Sequence, residues 1–225
     1  MKAGKCILMC AGEFHSCIIE KGPEDFVIAV DGGLRYLSVN GPEPDFLLGD
    51  FDSLDPEFRD TVESFREKGE EHFLQLPVVK DDTDTVAAIR LGYERGYREF
   101  VIYGGLGKRQ DHTMANIQAL VWLSKKGARG WLLDRETSIT VIGPGLFRLP
   151  EDFKGTVSLF ALDEKLTDVT IRGMKYNAEH ATVTNDYPIG CSNETAEEEG
   201  ACAEIMIGGG TGLVIMTKNL INRHE

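Results

Sequence analysis

Nowhere does the 225-residue chain carry the ~18 consecutive apolar residues that suggest a membrane-spanning helix. Its apolar runs, 6–11, 26–30 and 213–216, are strand-sized. No membrane span is expected. The opening Met1-Lys2-Ala3-Gly4-Lys5 leads into a run that reads as a strand rather than a secretory leader, so the cytoplasm is the expected compartment. Positive charge is scarce as well: 24 Lys and Arg stand against 37 Asp and Glu, leaving a net charge of −13. So acidic a surface repels nucleic acid and anionic membranes, and neither is expected as a partner. A phosphorylated substrate would need local cations to approach it, most simply a divalent metal. The five cysteines, Cys6, Cys10, Cys17, Cys191 and Cys202, are odd in number and lack C-x-x-C spacing, so buried reduced thiols are expected in place of zinc sites. Internal repeats and low-complexity tracts are absent. No Ser or Cys sits in a nucleophile-elbow setting, and His15, His72, His180 and His224 have no ligand-like spacing, so triad hydrolysis finds no support.

What is present is an ordinary globular composition, 42% hydrophobic and 27% charged, which argues against wholesale disorder. The first two thirds alternate β-rich runs (6–11, 26–30, 46–49, 72–76, 100–103 and 130–133) with helix-like segments at 56–68, 83–92 and 111–125. That alternation predicts a mainly parallel sheet covered by helices, a Rossmann-like three-layer α/β domain. The expected buried stripes are Val86, Ile89 and Tyr93 on one helix and Met114, Ile117 and Val121 on another. From about Thr137 seven short β-rich runs follow, at 137–142, 147–149, 156–160, 168–171, 181–184, 203–207 and 213–217, and these predict an all-β sandwich. The boundary is expected at the Gly143-Pro144-Gly145 punctuation, giving domains 1–143 and 144–225. Glu194 to Glu199 is an acidic loop, expected to be a solvated turn.

In a parallel α/β sheet the working residues collect beyond the carboxyl ends of the strands. Asp31-Gly32-Gly33, Asp50-Phe51-Asp52-Ser53, Lys80-Asp81-Asp82-Thr83-Asp84 and the stretch Gly104 to His112 all fall there. In an extended segment Asp50 and Asp52 would project to the same side and suit Mg2+, which completes its shell with water and substrate phosphates. Alone, the pair reads equally well as a turn in which Asp52 or Ser53 caps the following helix. Asp31, Asp81, Asp82 and Asp84 on neighbouring strand ends favour metal, because so many carboxylates in one crevice repel one another without a cation. Gly104 to Gly107 could cradle an anion on its backbone N–H groups, with Lys108 and Arg109 adding charge beside it. Such a turn is also often only a tight connection. Asp111 fits a helix cap or a partner that orients Arg109 better than it fits a general base, and His112 at a helix start is more often structural.

In order along the chain, Asp-Gly-Gly (31–33), Gly-Asp-Phe-Asp-Ser (49–53), Lys-Asp-x-Thr-Asp (80–84) and Gly-Gly-x-x-x-Arg-x-Asp-His (104–112), with Asn116 following, resemble the thiamine pyrophosphokinase family. The resemblance continues in Val169-Thr170-Ile171-Arg172-Gly173-Met174-Lys175-Tyr176 and in the pair Ser192-Asn193. It implies an α/β catalytic domain, a β-sandwich, and a homodimer whose active sites combine one domain from each subunit. It also implies transfer of pyrophosphate from ATP to the hydroxyl of thiamine, giving thiamine diphosphate and AMP, with Mg2+ bridging phosphate oxygens. The residues carried over are Asp50, Asp52 and Asp84 for metal with Asp31 beside them, Arg109 and Asp111 for the nucleotide, and Ser192 and Asn193 for thiamine; Gly104, Gly105, Lys80 and Asp81 complete the expected nucleotide site. The chain departs from some members in having Glu194-Thr195-Ala196-Glu197, with no aromatic shortly after the Ser-Asn pair. Two other readings compete: a phosphatase of the haloacid dehalogenase type that would phosphorylate Asp50 and use Asp52 as acid/base, and a sensor that binds nucleotide or vitamin without turnover.

Overall fold

The structure is a computed structural model and describes residues 1–15, 18–52, 54–77, 81–196 and 203–218. The chain forms two compact units, Met1–Arg135 and Glu136–Glu225.

The first unit contains strands β1 (Lys5–Met9), β2 (Phe26–Val30), β3 (Phe46–Gly49), β4 (Phe73–Gln75), β5 (Glu99–Tyr103) and β6 (Arg129–Leu133). They pair in the order β6-β5-β1-β2-β3-β4, every pair parallel. Helices α1 (Leu34–Asn40), α2 (Arg59–Glu67), α3 (Asp84–Glu94) and α4 (Gln110–Lys125) connect them. A central strand buried on both faces must be apolar throughout, which explains why β2 and β3 read Phe-Val-Ile-Ala-Val and Phe-Leu-Leu-Gly. Ile7, Met9, Val27, Ala29 and Leu47 pack on one face against Leu34 and Leu37 of α1 and Val62 and Phe65 of α2. On the other face Gly92 of α3 lies against Cys6 and Phe100, and Gly130 of β6 lies against Leu120 and Leu123 of α4.

Helix α1 is absent from the sequence reading because it follows Gly32-Gly33 directly and offers only Leu34 and Leu37 as a stripe. The segment expected as one helix at 56–68 opens with a 3-10 turn, Pro56–Phe58, before α2. Both expected stripes are rotated. Helix α3 buries Thr85, Ala88, Ile89 and Gly92, and α4 buries Asn116, Ile117, Ala119, Leu120 and Leu123 while Met114 stays exposed. In each case small residues let the helix approach the sheet closely, and a search for large apolar side chains passes over them.

The second unit holds β7 (Thr137–Ile142), β8 (Gly145–Arg148), β9 (Gly155–Ala161), β10 (Lys165–Arg172), β11 (Ala178–Thr184), β12 (Asn193–Glu194), β13 (Glu204–Ile207) and β14 (Gly212–Lys218). They form two antiparallel sheets, β12-β9-β14-β7 and β11-β10-β13-β8. Alternation is clean in β9, where Val157, Leu159 and Ala161 are buried and the residues between them are half-buried. The division falls at Arg135/Glu136, ahead of the expected 143, because 137–142 pairs along its whole length with β14.

Candidate active site

The parallel strands of the first unit carry their loops past one sheet edge, where Cys10 to Gly12, Val30-Asp31, Thr83 to Thr85, Gly104 to Arg109, His112 and Asn116 line a cavity of about 340 Å³. Strand β2 runs straight into Asp31, whose φ of 47° is left-handed. Asp31 Oδ1 accepts the N–H groups of Asp50 at 2.9 Å and Phe51 at 3.4 Å, which ties the ends of β2 and β3 together. Position 49 must be glycine for this bond, since a Cβ there would stand 1.7 Å from Asp31 Oδ1. Thr83 caps α3 by accepting the Val86 N–H at 3.3 Å, and this sets Asp84 in the first turn beside Asp31.

Burial, above all, and then the charge of Asp84, push the Asp31 carboxyl up to about 7; the Phe51 N–H opposes the shift, while a hydrogen bond with Asp84 and the charge of Asp50 add to it. Three carboxylates thus crowd one strand-end corner. Among the described residues no three His, Cys, Asp or Glu side chains close into a ready metal cage. Asp31 and Asp84, with Asp50 nearby, still fit magnesium, which takes one or two protein carboxylates and completes its shell with phosphate oxygens and water. Beneath them Cys10 is buried and receives the Thr85 hydroxyl at 3.4 Å. Burial holds its thiol at about 12 despite that bond, so Cys10 is a neutral wall and no nucleophile.

Across the cavity the Gly104 to Gly107 turn is held from two sides, by α4 and by the loop after β1. Asn116, buried in α4, donates Nδ2–H to the Gly105 carbonyl at 2.7 Å. The loop after β1 donates Gly12 N–H to Gly104 O at 2.9 Å and Glu13 N–H to Leu106 O at 3.1 Å. Gly104 has φ 62°, and a Cβ there would lie 2.4 Å from Cys10 O. Lys108 donates its ammonium to Ala11 O at 3.1 Å. Arg109 pairs with Asp111 through Nε to Oδ1 at 3.1 Å and Nη2 to Oδ2 at 2.6 Å. That pairing raises the affinity of Arg109 for its proton and lowers that of Asp111, at a fully solvated spot. Arg109 itself occupies the N-cap position of α4 and no side chain caps it there, so Asp111 orients Arg109 and does not serve as the cap.

In the second unit Ser192 is exposed with φ 57°, and its N–H donates to Ser158 Oγ at 2.9 Å. Asn193, expected to read ligand, is largely engaged with backbone. Its Oδ1 accepts the N–H groups of Tyr176 at 3.0 Å and Glu194 at 2.9 Å, and its Nδ2 donates to Tyr176 O at 2.7 Å. The amide thus braces the backbone of Tyr176, a residue left 64% exposed. Tyr176 and Asn193 stand on an apolar cavity of about 340 Å³ walled by Val157, Leu159, Val169 and Ile171.

The structure therefore brings Asp31, Asp84, Gly104, Gly105 and Arg109 to one cavity and Asp50 to its Asp31 corner. Asp52 is not brought there. Phe51 has φ 59°, so the segment turns instead of extending, the same-side projection of Asp50 and Asp52 fails, and Asp52 stays exposed with its N–H on Asp50 Oδ1 at 3.2 Å. Asp81 and Asp82 line a separate groove with Trp122, and Asp82 pairs with Arg90. Lys80 and Ser53 lie outside the described residues, as do Cys17, Cys202 and most of the acidic loop. Cys191 is exposed, against the expectation of buried thiols, because it follows a turn at the end of the apolar cavity. Sequence reasoning missed Ala11, Gly12 and Thr85 as cavity residues; their signal was position alone, small or hydroxylated residues just past strand ends.

A parallel α/β unit with a carboxylate corner facing a glycine turn, joined to an antiparallel β unit, defines a two-domain α/β enzyme. Residues 21–132 match the thiamin pyrophosphokinase catalytic domain and residues 146–205 the thiamin pyrophosphokinase vitamin B1 binding domain. The chain belongs to the thiamin pyrophosphokinase family. It is similar to a thiamine pyrophosphokinase of Bacillus subtilis, 29% identical over 174 residues that make up 77% of this chain and 79% of the relative. Among solved structures, a thiamine pyrophosphokinase from Bacillus subtilis superposes with a TM-score of 0.81 at 24% identity, covering 96% of this chain and 100% of its own. A thiamin pyrophosphokinase family protein from Enterococcus faecalis gives a TM-score of 0.75 at 29% identity, with the same coverage of 96% and 100%. The function is accordingly that of a thiamine pyrophosphokinase, a transferase of thiamine diphosphate formation, and the phosphatase and sensor readings are not favoured.

Proposed function

We propose that this chain transfers the β,γ-pyrophosphoryl group of ATP to thiamine with the help of magnesium, and that the cavity of the first unit holds the nucleotide. One observation carries the reading: a carboxylate corner (Asp31, Asp84, Asp50) and a glycine turn with Arg109 face each other across a single cavity. The attacking group is the substrate's own alcohol, so no protein nucleophile is required. Magnesium, held by Asp84 and Asp31 with Asp50 in support, would supply charge neutralisation to the phosphates. Among the described residues, the backbone N–H groups of Gly105, Gly107 and Lys108 donate to no protein acceptor, which leaves them available to phosphate oxygens. Arg109, already aligned by Asp111, supplies a planar pair of donors. The alcohol proton passes to an oxygen of the carboxylate corner that magnesium leaves free.

On the thiamine side Ser192 offers its hydroxyl, and Tyr176, set by Asn193, offers the aromatic wall that the residues after the Ser-Asn pair do not provide. The Rossmann-like layering is supported by the parallel order and by helices on both sheet faces. Two-subunit active sites in a homodimer and a cytoplasmic location complete the proposal, the latter in keeping with Cys6 and Cys10 as free thiols. No helix among the described residues is long and apolar enough to cross a membrane. The test is product analysis: AMP and thiamine diphosphate should form together from ATP, Mg2+ and thiamine. AMP release that does not depend on thiamine would overturn the assignment.

A further inference from the structure

Most arginines among the described residues find a carboxylate or a backbone carbonyl. Arg66, Arg90, Arg109, Arg148 and Arg172 each pair with a carboxylate, and Arg95 and Arg98 donate to backbone carbonyls. Arg35, half-buried in α1 just after the Asp31-Gly32-Gly33 strand end, does neither. Its Nη2 donates to Tyr36 Oη at 2.9 Å, its guanidinium carbon lies 4.7 Å from the centre of the Tyr36 ring, and its Nε is buried with no acceptor. Tyr36 in turn donates its hydroxyl to Gly12 O at 2.8 Å, and Gly12 lines the nucleotide cavity and bonds to the glycine turn through Gly104. A permanently charged fork with an unfilled donor therefore stands one hydroxyl away from the loop that crosses the turn.

We propose that Arg35 is a further phosphate-binding residue, placing a planar two-donor contact on the phosphates of the bound nucleotide from the Gly12 side of the cavity, opposite Arg109. Thiamine is a cation and gains nothing from a guanidinium, so the anion Arg35 serves is the polyphosphate. The Tyr36 ring holds the guanidinium flat, the Nη1 and Nη2 groups supply the two donors of the fork, and the buried Nε marks a guanidinium that no carboxylate among the described residues satisfies. This inference rests on the nucleotide reading above, and the experiment separates the two.

Titration calorimetry with the magnesium complex of a non-hydrolysable ATP analogue, together with kcat and both KM values, is applied to wild type, Arg35→Gln, Arg35→Lys, Tyr36→Phe and Arg109→Ala. Arg35→Gln should weaken analogue binding about tenfold while the KM for thiamine moves less than about twofold. Arg35→Lys keeps the charge but loses the fork and should lose about threefold. Tyr36→Phe removes the hydroxyl link to Gly12 and should bind the analogue within about twofold of wild type. Unchanged affinity in Arg35→Gln, or in Arg35→Lys should the glutamine variant fail to fold, overturns the proposal. So does a loss in Tyr36→Phe equal to that in Arg35→Gln, because Arg35 would then act only by bracing the loop. If Arg109→Ala loses the analogue and Arg35→Gln does not, the nucleotide site stands and only Arg35 is excluded; if wild type binds no analogue, the nucleotide reading itself fails.

Discussion

The two units spend their polar groups in opposite ways. The first gathers carboxylates at strand ends and leaves backbone N–H groups open across from them, an arrangement that repels itself until a cation and an anion arrive together. The second turns polar groups inward: the Asn193 amide bonds to the backbone of Tyr176 and Glu194, and Tyr176 is left exposed beside an apolar cavity. On the proposed function, charge neutralisation belongs to one unit and shape to the other. Variants in the first should act on catalysis and nucleotide, and variants in the second on thiamine and local order.

The largest effect is expected from Asp84→Asn, which keeps the shape and removes a hard ligand: kcat should fall by about a hundredfold or more with Tm unchanged or raised. Asp50→Asn should follow it, and exposed Asp52→Asn should cost clearly less. Equal losses at Asp52 and Asp84 in steady-state assays would show that the carboxylate corner is drawn wrongly.

Next, Arg109→Ala should raise the KM for ATP about tenfold and lower kcat, leaving the KM for thiamine near wild type. Lys108→Ala should do less, since its ammonium is engaged with Ala11 O. Wild-type ATP kinetics in both variants would reduce the glycine turn to a connector.

A smaller and differently shaped effect belongs to Asn193→Ala. Freeing the Tyr176 backbone should raise the KM for thiamine by about three- to tenfold and lower Tm by a few degrees, with ATP affinity unaltered. Asn193→Asp, which retains the acceptor for the Tyr176 and Glu194 N–H groups, should recover part of the loss. A direct contact with thiamine would instead leave Tm untouched. Mixing Asp84→Asn with Asn193→Ala protein should restore some activity if each site draws on two subunits. Subunit exchange demonstrated by mass without any return of activity would confine each site to one chain.

The smallest expected effect is on stability against pH. A carboxyl pushed up to about 7 in the folded protein, from its ordinary value of 3.8, binds its proton more tightly folded than unfolded. Between those values the unfolded chain holds fewer protons, so stability falls as pH rises through the window. Metal-free protein should therefore melt at lower temperature at pH 7.5 than at pH 5, and Asp31→Asn or saturating Mg2+ should flatten the slope. A slope unaffected by either change would mean that another group sets it.

Sequence alone determined more of this protein than is usual. The apolar runs at 26–30 and 46–49, short and set between helix-like segments, read as strands of a parallel sheet, and strand ends in such a sheet are where ligands bind, so Asp31, Asp50, Asp84, the glycine turn and Arg109 were legible as candidates from position and residue type. The β-rich texture after 137 was equally plain. Tertiary structure alone decided how far those residues converge. The left-handed backbone at Phe51 sends Asp52 outward, and Asp81 and Asp82 turn into a groove with Trp122. The bonds from Asn193 to Tyr176 and from Asn116 to Gly105 join residues 17 and 11 positions apart, and the Tyr36 to Gly12 link spans 24. The physical reason is range. Hydrophobic periodicity and turn chemistry act over a few residues and write themselves into the sequence, whereas the direction of a side chain and the partner of a buried amide or guanidinium depend on groups brought near only when the chain closes.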